Sequence, residues 1–95
     1  MSDPRLLASL EHNCGPVIMG AVHDPDVLEI MLNPDGKIWI EKYGQDQQCV
    51  GELSIPQGKL ILSLVASALD LTVDAKSPVV EGSFPLDGSR FEGTF

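Results

Sequence analysis

The stretch VLEIMLNPDGKIWIEKY, residues 27–43, decides the fold. Leu28, Ile30 and Leu32 share one face of an extended segment, and Ile38 and Ile40 resume that alternation a few residues later. Between them stands Asn33-Pro34-Asp35-Gly36. Asn opens a type I turn, Pro sets φ at its second position, and Gly takes the left-handed conformation that closes the hairpin. The segment therefore reads as two antiparallel strands. Trp39 and Tyr43 fall on the face opposite Ile38 and Ile40. That face either packs on a helix or marks a protein interface, and the pattern leaves both open.

Upstream of the hairpin the periodicity is helical. In DPRLLASLEHNC, Asp3 can cap and Pro4 suits the first helical position, with Leu6, Leu7 and Leu10 on one face. Gly15-Pro16 breaks this helix. PVIMGAVHD then reads as a second short helix, with Val17, Ile18, Ala21 and Val22 as its stripe. Asp24-Pro25-Asp26 is a turn or cap.

Downstream, CVGELSI reads as a third strand, weakened by Gly51. Ser54, Pro56 and Gln57 mark a helix start, with Ser54 and Gln57 at capping-box spacing. The helix is expected over 56–71, and its pairs Leu60–Leu64, Ile61–Val65, Leu64–Ala68 and Val65–Leu69 are the strongest amphipathic signal in the chain. VVEGSFPLDGSRFEGTF closes the sequence with a second alternating hairpin about Asp87-Gly88. The fold class expected is α+β: N-terminal helices and an antiparallel sheet of about five strands, with one long amphipathic helix packed on it. Because the chain stops inside an alternating pattern, residues 1–95 are expected to be one domain at the front of a longer protein.

Composition narrows the function. Apolar residues make up 43% of the 95-residue chain and charged residues 21%, a globular balance that excludes disorder. The net charge is -8, and Arg5, Lys37, Lys42, Lys59, Lys76 and Arg90 are scattered. Phosphate-backbone binding needs clustered cations, so direct nucleic-acid binding by this segment is excluded, and an anionic membrane surface is disfavoured on the same ground. No apolar run approaches the ~18 residues of a membrane span. MSDPRLLASL carries an acid where an export signal needs positive charge, and two cysteines are too few for a disulfide framework. Both features fit a reduced, cytoplasmic setting.

Several constellations fail on spacing. PQGKL, residues 56–60, lacks the earlier Gly of a P-loop, where Leu53 stands, and the Ser or Thr after Lys, where Leu60 stands. His12, Cys14, His23 and Cys49 have no zinc-site spacing, and no third member completes a Cys–His nucleophile. Asp24, Asp26 and Glu29 do not form a calcium loop. Arg90, between Asp87 and Glu92, reads either as a solvated strand residue or as a strand tip offering its planar fork to a phosphate or another subunit.

A resemblance shifts that balance. DPDVLEIMLNPDGKIWIE, followed by LVASALDLTVDAKSPVVEGSFPLDGSRFEGTF, resembles the N-terminal part of TrbB-like conjugal-transfer ATPases, a branch of the secretion ATPases of type IV secretion systems. The resemblance runs from about Leu6 to Phe95 and is most specific at EIMLNPDG, LVASAL and FPLDGSRFEG. It implies an N-terminal α+β domain joined to a RecA-like motor domain. It also implies homohexameric rings at the cytoplasmic face of the inner membrane, in contact with inner-membrane secretion components. ATP and Mg²⁺ would sit between the two domains of the full-length protein. The family's phosphate-contacting Arg near the end of the N-terminal domain matches Arg90 in DGSRF. The P-loop, the acidic boxes and the catalytic Glu are absent from these residues, so no catalytic residue is assigned and no cofactor is expected on the segment alone. The competing expectation is a free-standing adaptor or sensor domain.

Overall fold

The computed structural model describes residues 3–95. Met1 and Ser2, which open the segment read above for export, lie outside the described residues. The element order is α1 (Pro4–Val22), β1 (Val27–Leu32), β2 (Lys37–Lys42), β3 (Gln48–Glu52), α2 (Ile55–Ala68), β4 (Val79–Ser83) and β5 (Arg90–Thr94). The α+β class and the five strands are as expected.

Helix α1 is two helical segments in one. Asp3 caps it by accepting the Arg5 N–H at 2.8 Å. At Gly15, φ is 78° and ψ 175°, so the helical ladder is interrupted just before Pro16. Interruption leaves the Asn13 carbonyl without its helical donor. The Gln57 side chain supplies one from α2, with Nε2 donating to Asn13 O at 2.7 Å. Gln57 thus forms only half of the expected capping box. Its backbone N–H donates to Ser54 Oγ at 3.2 Å, while its amide joins the two helices instead of folding back.

The 33–36 turn forms as expected. Gly36 N–H donates to Asn33 O at 2.9 Å, Lys37 N–H donates to Asp35 Oδ1 at 2.9 Å, and Gly36 has φ 88°. A side chain at Gly36 would collide with the backbone carbonyl of Leu53, whose N–H donates to Gly36 O at 2.8 Å. The turn therefore also tethers the start of the α2 segment.

The strand order is β3-β2-β1-β5-β4. Neighbouring pairs are antiparallel except β1 and β5, which run parallel. The sheet is mixed, where the sequence pattern led to an antiparallel expectation. Alternation and turns specify pairing between strands adjacent in sequence, and those three hairpin pairings are antiparallel. The remaining pairing depends on α2, which carries the chain from the β3 edge to the β4 edge and sets the last hairpin against β1.

Both helices lie on one face. Ile30, Leu32, Ile38, Ile40, Val80 and Phe91 point into a core closed by Leu10, Cys14 and Ile18 from α1 and Ile61, Leu62 and Val65 from α2. Gly93 is needed for this closure, because a side chain there would overlap Leu62 and crowd the Phe91 ring. Phe84 and Phe91 stack with centroids 5.2 Å apart. Among the described residues, no helix is long and apolar enough to cross a membrane.

Candidate functional site

Arg90 opens β5 directly after a tight loop. Phe84 N–H donates to Ser89 O at 2.7 Å, and Gly88 N–H donates to Phe84 O at 2.8 Å. The Asp87 carboxylate accepts from Ser89 N at 3.0 Å and Ser89 Oγ at 2.7 Å. Asp87 and Gly88 are thus geometry, and the amides of residues 87–89 are committed inside the loop. They are not free to cradle an anion.

The register places Arg90 between Ser83 of β4 and Glu29 of β1, on the sheet face that carries no helix. Arg90 Nε lies 3.2 Å from Glu29 Oε1; the Arg side chain is 72% exposed and the Glu 14%. Glu29 is the mostly covered partner and the guanidinium the solvent-exposed one. Among the described residues no second carboxylate lies within ion-pair distance of the guanidinium, and the side chain is open to solvent. With Arg90 so exposed, solvent screening keeps the pair's contribution to stability below about 1 kcal/mol.

Two shallow depressions meet at Arg90 and Gly88. One, of about 460 Å³, is also lined by Glu81, Gly82 and Ser83. The other, of about 410 Å³, lies between the α1–β1 turn and the loop, with Asp24, Leu28 and Asp87 in its wall. Asp24 is held below the ordinary carboxylate range, first by the Asp26 N–H and then by Lys42. Lys42 is spent on it, Nζ to Oδ2 at 3.0 Å. The outward end of Arg90 is therefore the cation these depressions offer, and Glu81, Asp24 and Asp87 surround it.

That arrangement fits one contact to a phosphate oxygen, since the guanidinium fork is open. It does not fit a whole nucleotide site. The loop amides are spent, and among the described residues no cluster of three or more His, Cys, Asp or Glu could hold a metal ion. A di- or triphosphate near these carboxylates needs its cradle and its Mg²⁺ ligands from elsewhere.

The other candidates separate. Cys14 is buried in the core, and its thiol is pushed up to about 11 by burial and then by Glu11, which keeps it protonated and unreactive. Cys49 is exposed on the β3 edge, and His12 and His23 lie on the exposed side and the C-terminal cap of α1. Asp24 and Glu29 are engaged by Lys42 and Arg90 rather than gathered around a cation. Gly58 of PQGKL is buried in α2 against Leu32. Trp39 is half-buried and Tyr43 is 78% exposed, both away from the helices. Glu29 as the partner of Arg90 was hidden from the sequence. The two residues are 61 positions apart and meet only through the parallel pairing.

Over 92 residues, 97% of its length, the chain is 41% identical to a probable conjugal transfer protein TrbB from Sinorhizobium fredii. The chain is TrbB-like. Over the same length it is 37% identical to a conjugal transfer protein TrbB from Rhizobium radiobacter. This TrbB-like chain spans 28% of the length of each of these relatives. No family model matches it, and no solved structure matches it significantly.

Proposed function

We propose that this chain is the N-terminal oligomerisation and regulatory domain of a hexameric ATPase that powers conjugative DNA transfer or type IV secretion. In this reading it supplies one wall of the ATP site, and Arg90 contacts the nucleotide phosphates. The carrying observation is the 41% and 37% identity to proteins named TrbB over 97% of the chain. The outward guanidinium of Arg90 supports the finer assignment, and the spent loop amides are consistent with a phosphate cradle and Mg²⁺ ligands in the longer protein. Its partners would be the other subunits of the ring, its own motor domain and inner-membrane secretion components at the cytoplasmic face. The alternative, an adaptor without a motor, gives Arg90 no role beyond its pairing with Glu29.

The test uses the full-length protein. Arg90→Ala should lower ATP turnover roughly tenfold or more, because a charge-assisted phosphate contact is lost, with ring assembly unchanged by sedimentation. Arg90→Ala also strands the mostly covered Glu29 carboxylate, so Glu29→Gln/Arg90→Ala is measured beside it. Low turnover in both variants supports the phosphate role. Unchanged turnover in Arg90→Ala, or recovery in the double variant, sinks it.

A further inference from the structure

The sheet face without helices has its own chemistry. Across the strands, Cys49, Trp39, Met31, Glu92 and Glu81 form one row by register, and Glu41, Glu29, Arg90 and Ser83 form the next. Lys37 pairs with Glu52 at the far end. Among the described residues, five carboxylates, Glu29, Glu41, Glu52, Glu81 and Glu92, thus share the face with two cations, Lys37 and Arg90, and Arg90 is tied to Glu29. At the centre the half-buried Trp39 and Met31 lie side by side on neighbouring strands. Trp39 Nε1 is enclosed without a hydrogen-bond partner.

We propose that this face docks a basic segment of a partner protein, with a Lys or Arg side chain seated against Trp39 and its neighbours in the segment paired to Glu41, Glu81 and Glu92. Charge complementarity selects the occupant. A second copy of a chain with net charge -8 brings the same acidic face and repels. Nucleic acid and anionic lipid are repelled for the same reason. A cation, in contrast, gains from the carboxylates and from the aromatic ring together. Nothing in this inference depends on ATP binding.

The chain holds one tryptophan, Trp39, so its fluorescence reports on this face directly. The probe is a synthetic decapeptide alternating Lys and Ala, titrated against the 95-residue chain at low ionic strength. A saturable change in Trp39 emission is expected. Glu41→Gln/Glu81→Gln/Glu92→Gln should weaken the peptide's affinity roughly tenfold or more, because three close charge pairs are removed. Glu11→Gln/Asp46→Asn/Asp70→Asn changes the net charge equally at exposed sites off this face and should leave affinity within about twofold. Equal weakening in the two triple variants means diffuse electrostatics and overturns the proposal. So does an unchanged Trp39 signal, or a peptide that fails to bind.

Discussion

Asp24 shows how one carboxylate ties the α1–β1 turn to the sheet. Its Oδ1 accepts the Asp26 N–H at 2.9 Å, and its Oδ2 meets Lys42 Nζ at 3.0 Å. Both partners favour the ionised form, so its pKa lies below the ordinary 3.8. A carboxylate with a depressed folded pKa contributes stability that is complete well above 3.8 and is lost as pH falls through 3.8 toward the lowered value. Asp24→Asn should therefore lower the urea midpoint at pH 7 and change it little at a pH below the folded value. The gap between variant and parent should close on acidification, and a gap of constant size would contradict the titration. The Asp-Pro-Asp stretch was legible as a turn. Its partner Lys42 was not, because that contact spans the hairpin. Arg90 divides the same way. Its place after an Asp-Gly turn was readable, but Glu29 becomes its neighbour only when β1 and β5 run side by side.

Helix α2 is the element whose start was best written in local chemistry, through Ser54, Pro56 and Gln57. Its end falls at Ala68, three residues before the expected Leu71, although Leu69 and Leu71 continue the apolar spacing. Asp70 explains the stop. It adopts φ 56°, Asp70 N–H donates to Ser67 O at 3.3 Å, and Leu71 N–H donates to Ala66 O at 2.8 Å. These two bonds form a Schellman cap with Asp where Gly is usual. The position also sets a negative charge against the negative end of the helix dipole. Asn tolerates the left-handed conformation and lacks the charge. Asp70→Asn should stabilise the fold by about 0.3–1 kcal/mol at low salt, with the gain shrinking as salt is added. Denaturant melts at two ionic strengths measure it, and a loss of stability would show that Asp70 has a favourable partner. The break in α1 was equally legible at Gly15-Pro16. Its repair by Gln57 was not, since residues 13 and 57 meet only after the helices pack.

At the scale of the whole molecule, local patterns specified each hairpin and each helix but not how the last hairpin docks. The crossing of α2 over the sheet turned an expected antiparallel arrangement into a mixed one, and with it produced the open acidic face. Charge is the other property of the whole chain. Fourteen acids face six bases on a body of 32 × 27 × 20 Å. At about 0.01 M salt the Debye length is ~30 Å, so carboxylates on opposite sides of the molecule still repel one another. At about 0.15 M it is ~8 Å, and the long-range repulsion is largely gone. The same salt also weakens the attractive pairs Arg5–Asp3, Lys42–Asp24 and Arg90–Glu29. Surface ion pairs that keep contact with solvent are worth ~0–1 kcal/mol each, and short-range or partly covered pairs are screened less than distant ones. Repulsion summed over the excess of acids should therefore dominate the response. Raising NaCl from about 0.01 M to about 0.15 M should shift the urea midpoint upward. A downward shift would mean that the three pairs outweigh the repulsion.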